Sequence, residues 1–193
     1  MPGYPLVSVG ITCFNAEDTI REAVRSALAQ DWPRLEILVA DDGSSDRSVE
    51  VAAEEAGGDQ RVRLLRRSAN GGVAAARNAL LANARGEFLA FFDDDDTSHP
   101  SRIARQVRCI ERYEEVTGAE LVVCHTARLV HLPDGRAIHE PALGADCIPG
   151  PSGRAIIDLI LLGRPVGPGG GSAPTCSQMA RKRVYDALGG FDE

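Results

Sequence analysis

Four consecutive aspartates, Asp93, Asp94, Asp95 and Asp96, directly follow an apolar segment at residues 87–92. Adjacent carboxylates repel one another and need a compensating charge, which a hard divalent cation such as Mg²⁺ or Mn²⁺ supplies when it binds oxygen ligands. The alternative is a solvated acidic loop. The cation site is favoured because the apolar segment predicts a buried strand, and ligands of parallel α/β sheets bind beyond the carboxyl ends of the strands.

A second acidic pair, Asp41 and Asp42, ends another apolar segment at residues 36–40. Their carboxylates can accept hydrogen bonds from a uracil-type N–H or from a ribose hydroxyl. The alternative is an Asp-Gly turn that caps the next helix. The two interpretations are compatible, with Asp46 as the better candidate for the cap.

A third candidate site is the segment Asn70-Gly71-Gly72, which is followed by Arg77. The segment begins a predicted helix, and backbone N–H groups at a helix start, together with a guanidinium, can attract a diphosphate. By contrast, Cys13 and the four histidines have no partners at the spacing of a metal site or a catalytic triad. Cys13 is therefore expected in the core.

Alternating strands and helices must position these candidates. Strands are predicted at residues 6–12, 36–40, 62–65 and 87–92, and helices from Thr19, where Glu22 would complete a capping box, at 48–56, at 73–84 and after Pro100. This alternation predicts an α/β fold with a largely parallel sheet and helices on both faces. Both acidic clusters then lie at the carboxyl edge of the sheet.

The pattern changes in the second half of the chain. The sequence Pro-Asp-Gly at residues 133–135 predicts a hairpin, so the sheet is expected to be mixed. Residues 141–177 are rich in Gly and Pro and suit a loop around one short helix at 154–162. We expect residues 164–177 to order over a bound ligand. A last helix, followed by two glycines, is predicted at residues 180–188.

The composition restricts the class of protein. With 193 residues, of which 44% are hydrophobic, the chain can bury one core, and we predict a single domain over residues 1–193. The net charge of −7 argues against a nucleic-acid partner. Five cysteines without a C-x-x-C pair indicate neither a zinc site nor a disulfide framework. The sequence has no long apolar run and no signal-peptide pattern, which predicts no transmembrane segment and a cytoplasmic location.

Four segments together resemble glycosyltransferase family 2, the large inverting family with the GT-A fold. These segments are VSVGITCFN, LEILVADDGSSDRS, NGGVAAARNALLANARGEFLAFFDDDD and ARKRVYDALGGFDE. The resemblance implies a Rossmann-like, mixed and mainly parallel twisted sheet, with a nucleotide-sugar-binding part at residues 6–100 and an acceptor-side part at residues 101–193. Family members usually continue well beyond the GGFDE sequence, so we expect the acceptor-side part, which ends here at Glu193, to be incomplete.

The resemblance also implies roles for individual residues. The family's metal motif, D-x-D-D, places Asp93, Asp95 and Asp96 at its acidic positions, with Asp95 as the main ligand of Mn²⁺ or Mg²⁺. Asp192 matches the general base in GGFDE, and Ser98 stands where family members commonly have an aromatic residue. The implied nucleotide-binding residues are Thr12, Asn15, Asp41, Asp42, Arg77 and Asp93.

The activity implied by the resemblance is transfer of a sugar from a nucleoside diphosphate donor, with UDP as the expected nucleotide, to an acceptor hydroxyl with inversion. The acceptor is a saccharide, a lipid-linked glycan or a small molecule. One alternative is a truncated or inactive module that only binds the nucleotide sugar. A nucleotidyltransferase is disfavoured, because residues 12–15 lack the basic side chain that such enzymes carry in their first loop.

Overall fold

The computed structural model describes residues 3–142, 150–156 and 173–192. Contacts divide the chain into two compact units, one comprising Met1–Cys124 with Met179–Glu193 and the other His125–Gln178. The strands are β1 (Val7–Cys13), β2 (Leu35–Asp41), β3 (Val62–Arg66), β4 (Phe88–Asp93), β5 (Val123–His125), β6 (Arg128–His131), β7 (Ala137–Glu140) and β8 (Gln178–Arg181). Six of these strands form one sheet in the order β3-β2-β1-β4-β8-β5.

The centre of the sheet is parallel. β1 pairs with β2 on one side and with β4 on the other, and β2 also pairs with β3. All seven residues of β2 are buried, as are all residues of β1 except the partly exposed Thr12. Strands covered on both faces require such continuous apolar runs. The four predicted strands are confirmed, including the short β3, whose residues are only partly buried or exposed.

Helices cover both faces of the sheet, as predicted. They are α1 (Ile20–Leu28), α2 (Ser48–Ala56), α3 (Gly72–Asn83), α4 (Arg102–Thr117) and α5 (Lys182–Leu188). Buried side chains of α1, α2 and α4 share one core cluster with β1, including Val24, Val51 and Ile110. Those of α3 and α5, including Leu80 and Val184, share a second cluster with residues of β2 and β4. The predicted mixed, mainly parallel α/β architecture is therefore confirmed.

The antiparallel part of this sheet was not predicted where it occurs. The sequence predicts a helix over residues 180–188, whereas Gln178–Arg181 is strand β8, antiparallel to β4, and helix α5 begins only at Lys182. The physical reason is visible at Met179 and Ala180, which are both buried but belong to opposite core clusters. Consecutive side chains point to opposite faces in a strand, so these two residues fill both layers at once.

Two predicted helix caps have different outcomes. The capping box at the start of α1 is wrong, because the Thr19 side chain makes no capping hydrogen bond and its backbone is in the helical region. Glu22 instead pairs with Arg25, at 2.7 Å. At α2 the residue in the N-cap position is Arg47 and not the predicted Asp46. Asp46, one residue earlier, nevertheless supplies the acceptor, since its Oδ1 accepts a hydrogen bond from the backbone N–H of Ser48, the first residue of α2, at 3.0 Å.

In the second unit, the predicted hairpin is confirmed. β6 and β7 form a separate two-stranded antiparallel sheet with Val130 opposite Ile138. The turn is closed by a hydrogen bond from the Leu132 N–H to the Arg136 carbonyl, at 2.8 Å, and Gly135 has a φ of +83°. Glycine suits this turn because other residues rarely adopt a positive φ.

Part of the predicted glycine-rich loop lies outside the described residues. Residues 153–156 are helical, in agreement with the start of the short helix, but residues 157–162 are not described. The same holds for residues 164–172 of the segment expected to order over a ligand, while Thr175–Ser177 forms a turn of 3₁₀ helix. Among the described residues, no helix is long and apolar enough to cross a membrane.

Candidate functional site

The carboxyl ends of three parallel strands and the start of α3 surround a cleft of about 370 Å³. Thr12, at the end of β1, lies opposite Asp93 of β4 and opposite Ala40 of β2, so the central strand brings its neighbours' ends together. The cleft is lined by Thr12, Cys13, Phe14, Asp42, Asn70, Gly72, Val73, Ala76, Arg77, Asp93, Asp94 and Asp95.

Most of the predicted site residues meet in this cleft. Thr12, Asp42, Arg77, Asp93 and Asp95 line it, as the placement of both acidic clusters at one sheet edge requires. The remaining predicted residues, although described by the structure, are absent from its lining, namely Asn15, Asp41, Asp96 and Asp192.

The acidic loop after β4 brings several carboxylates close together. Burial raises the pKa of the Asp94 carboxyl, a hydrogen bond from the Phe14 N–H opposes that shift, and the negative charges of Asp95 and Asp93 add to it. The bond from Phe14 to Asp94 Oδ2 is 3.1 Å long and ties the loop to the residue after β1. Crowded carboxylate oxygens are the donors that Mg²⁺ and Mn²⁺ prefer, so this cluster fits a hard divalent cation.

Arg77 is the basic side chain among the cleft-lining residues. It projects from the second turn of α3, its side chain is 16% exposed, and its Nη2 lies 3.8 Å from Asp93 Oδ1. Its guanidinium also lies over the ring of Phe191, with the carbon 5.6 Å from the ring centroid. Arg77 thus links the acidic loop with the segment that follows α5.

Asp42 is engaged by the protein itself. The residue is buried, with 3% of its surface exposed. Its carboxylate accepts hydrogen bonds from the N–H groups of Gly71 and Gly72, the latter at 2.8 Å. The Arg67 guanidinium donates to the same carboxylate. The Gly72 N–H also donates a hydrogen bond to the Asn70 side chain. The N–H groups of Gly71 and Gly72, which the sequence suggested for a diphosphate, therefore donate to side chains of the protein in this structure.

Asp41 and Asn15 also hold loops in place. Both oxygens of the buried Asp41 carboxylate accept from the Ser44 N–H, at 3.3 Å. Asn15, with a φ of +49°, accepts from the Ser45 N–H through its side-chain oxygen, at 2.9 Å. The turn interpretation therefore describes what these side chains do in this structure, and their nucleotide contacts remain a prediction.

Two features of the cleft were missed from the sequence. Phe14, which is 45% exposed, lines the cleft, as does the exposed Val73 of α3. An exposed aromatic ring offers a stacking surface for a nucleobase. The second missed feature is the pairing of Arg67 with Asp42. The sequence does contain a signal for it, because two adjacent arginines, Arg66 and Arg67, follow one another at the end of β3, beside the acidic end of β2.

Asp192 is exposed and follows a well-packed residue. The ring of Phe191 makes an edge-to-face contact with Phe91 of β4, at a centroid distance of 5.5 Å, and stacks on Tyr185 of α5. These ring contacts anchor the segment that carries Asp192, and the role of Asp192 as a base stays a prediction.

A mostly parallel sheet whose fourth strand runs into an acidic loop is the arrangement of GT-A glycosyltransferases, and solved structures of that class share this fold. The sequence model of glycosyl transferase family 2 matches residues 8–134, and the chain belongs to this family. The family and fold predicted from sequence are thereby confirmed.

Relatives and solved structures extend beyond the matched part. The succinoglycan biosynthesis protein ExoO of Rhizobium meliloti is 40% identical over 119 residues, which are 62% of this chain and 32% of ExoO. EpsE of Bacillus subtilis is 34% identical over 126 residues, which are 64% of this chain and 45% of EpsE. The chain therefore spans less than half the length of these two relatives.

Two solved structures share the fold at low sequence identity. S. aureus TarS 1-349 in complex with UDP-GlcNAc is 20% identical, with a TM-score of 0.65, over 97% of this chain and 48% of TarS 1-349. The mannosyltransferase PcManGT from Pyrobaculum calidifontis, in complex with GDP-Man and Mn²⁺, is also 20% identical, with a TM-score of 0.65, over 99% of this chain and 48% of that protein. At this identity the likeness concerns the fold alone.

Proposed function

We propose that this chain transfers a sugar from a nucleoside diphosphate donor, with UDP as the expected nucleotide, to an acceptor hydroxyl with inversion at the anomeric carbon. The observation that carries the proposal is the convergence of Thr12, Asp42, Arg77 and Asp95 on one cleft at the carboxyl ends of the strands. Residues 1–193 would form one catalytic domain, with the donor bound by residues 6–100 and the acceptor by residues 101–193.

The donor's nucleoside would lie at the β1 and β2 end of the cleft. Phe14 offers an apolar face there, and Thr12 and Asp42 offer polar atoms. Arg77 would attract the diphosphate, because a guanidinium matches phosphate oxygens. That TarS binds UDP-GlcNAc and PcManGT binds GDP-Man supports a nucleotide-sugar ligand without selecting the base or the sugar.

A divalent cation, Mn²⁺ or Mg²⁺, would be held by Asp93, Asp95 and Asp96, which supply oxygen donors of the preferred type. When bound, it would offset the negative charge that grows on the leaving diphosphate. Asp94 would not be a main ligand, because its Oδ2 accepts the Phe14 N–H and thereby keeps the acidic loop next to the end of β1.

Asp192 would act as the general base. In a single displacement, the acceptor oxygen bonds to the anomeric carbon while the bond from that carbon to the diphosphate oxygen breaks with its electron pair. The hydroxyl proton passes to a carboxylate on the acceptor side. Asp192 is an exposed carboxylate that directly follows Phe191, the residue whose ring the Arg77 guanidinium contacts. The acceptor is a saccharide, a lipid-linked glycan or a small molecule.

The test is an assay of the whole chain with a panel of sugar nucleotides, acceptors of the three classes and Mn²⁺. Release of nucleoside diphosphate that requires both donor and acceptor supports sugar transfer. Release of pyrophosphate from a nucleoside triphosphate and a sugar phosphate would instead support nucleotidyl transfer. Donor binding without turnover on any acceptor would favour the nucleotide-sugar-binding module.

A further inference from the structure

The side chain of Asn78, on α3, forms two hydrogen bonds with the backbone of one distant residue. Its Nδ2 donates to the Phe191 carbonyl at 2.8 Å, and its Oδ1 accepts from the Phe191 N–H at 2.9 Å. A side-chain amide that pairs with both polar groups of one residue fixes that residue's position and its orientation. Phe191 is the residue immediately before Asp192.

The chain around Phe191 is shaped to reach Asn78. Helix α5 ends at two glycines, Gly189 and Gly190, with φ values of +82° and +89°. A Cβ atom on Gly190 would lie 2.7 Å from Asn78 Oδ1, closer than real Cβ atoms come to an oxygen. A glycine is thus required at position 190 both by the backbone conformation and by the close approach of the Asn78 amide.

Phe191 is held through its ring as well as its backbone. The ring packs edge to face against Phe91, two residues before the acidic loop. The Arg77 guanidinium lies over the same ring, with its carbon 5.6 Å from the ring centroid. The neighbouring residues Arg77 and Asn78 therefore contact the same aromatic residue. One turn of α3 thereby joins the acidic end of β4 to the segment that carries Asp192.

We infer that Asn78 is a positioning residue for Asp192, acting through the Phe191 peptide. The inference rests on the proposed function, in which Asp192 is the base. Asn78 itself is not among the described residues that line the cleft. Its two hydrogen bonds hold the Phe191 N–H and the Phe191 carbonyl. The Asp192 backbone continues from that carbonyl, so the two bonds set where the Asp192 carboxylate meets the acceptor hydroxyl. A misplacement of about 1 Å is enough to cost a rate factor of roughly a hundred.

The test compares Asn78→Ala with Asn83→Ala, a control on the same helix whose amide bonds only the Ala79 carbonyl one turn away. In Asn78→Ala we expect kcat to fall by about ten- to a hundredfold, with the donor KM nearly unchanged. Hydrogen exchange at the Phe191 amide should accelerate. Asn78→Asp, which keeps an acceptor for the Phe191 N–H but has no donor for its carbonyl, should fall between. Asn83→Ala should leave kcat and the Phe191 amide unchanged.

A double-mutant cycle with Asp192→Asn separates the positioning role from the proposed function. If Asn78 acts through Asp192, adding Asn78→Ala to Asp192→Asn lowers kcat little further, because residues that act as a unit are non-additive. Unaltered turnover of Asp192→Asn would overturn the base assignment and this inference together. If Asp192→Asn has a low kcat but Asn78→Ala has an unchanged kcat, or if the losses of the two variants are fully additive, the inference alone is overturned. Loss of donor binding in Asn78→Ala would also overturn the inference alone.

Discussion

At the scale of single residues, Asp42 has two roles that a substitution can separate. Asp42→Ala removes the acceptor for the N–H groups of Gly71 and Gly72 and leaves the Arg67 guanidinium without its carboxylate. Loss of such a helix cap costs about 0.5–2 kcal/mol of unfolding free energy.

The second role of Asp42 concerns the ligand. In Asp42→Ala we also expect weaker binding of the free nucleoside diphosphate and of the whole donor, measured by calorimetry. Arg67→Ala is the control, because it keeps the cap, and a change confined to sugar preference would contradict the placement of Asp42 at the nucleoside.

Two cysteines are expected to differ in reactivity because their surroundings shift their pKa values in opposite directions. A hydrogen bond from the Cys124 thiol lowers the pKa of the exposed Cys109 thiol on α4, whereas burial, followed by the charge of Asp94, raises the pKa of Cys13 to about 12. The thiolate is the reactive form, so Cys109 should be alkylated below the pH of about 8.5 at which an ordinary cysteine is half ionised.

Iodoacetamide labelling followed by mass spectrometry between about pH 5 and pH 9 checks this prediction. The rate at Cys109 should rise with pH earlier than the rate of a model thiol, and Cys13 should stay unlabelled in the folded protein. Cys124→Ala removes the donor and should move the Cys109 curve to higher pH. An unchanged curve in that variant would show that the thiol contact does not govern the reactivity.

At the scale of elements, the end of α5 offers a matched pair of glycines. Gly189 and Gly190 both have a positive φ, but a Cβ atom meets nothing within 4 Å at Gly189 and meets the Asn78 side chain at Gly190. Alanine at either position strains the backbone by about 1–2 kcal/mol. Gly190→Ala should in addition displace the Asn78 amide, so it should lower kcat in the manner of Asn78→Ala, while Gly189→Ala lowers the thermal midpoint with a smaller change in kcat. Equal turnover in the two variants would contradict the specific role of the contact at Gly190.

The same elements show what a sequence can predict. Strands β1, β2 and β4 were predicted because their apolar runs are continuous, and a strand buried on both faces requires that pattern. β8 was missed because its four residues, Gln178–Arg181, become a strand only through pairing with β4 and through filling both core layers. Short segments of this kind carry too few residues for a period to be read.

At the scale of the whole molecule, the cleft could be predicted as a place but not in its internal contacts. The topology brings the ends of β1, β2 and β4 together, so Thr12, Asp42 and Asp95 were expected to meet. The bond between Asn78 and Phe191 joins residues 113 positions apart, and the pairing of Arg67 with Asp42 joins two different strand ends. Such contacts depend on side-chain geometry that only the folded chain defines.

The cleft also predicts how the stability of the whole chain responds to its ligands. A ligand that binds only the folded state at about 100 times its Kd adds roughly 2.7 kcal/mol of unfolding free energy, which for a domain of this size corresponds to about 5–11 °C in Tm. We expect such a shift from donor in Mn²⁺ and little of it in a chelator, because without the cation the phosphates would approach the clustered carboxylates of the acidic loop. Asp95→Asn should lose most of the shift.

Asp31→Asn is the control for this prediction. Asp31 is exposed and precedes β2 at the opposite, amino edge of the sheet, so this variant should show the same donor shift as the unsubstituted chain. The measurement is a thermal melt of the three proteins with and without donor, Mn²⁺ and chelator, and an equal donor shift in chelator and in Mn²⁺ would show that the acidic loop binds the donor without a cation.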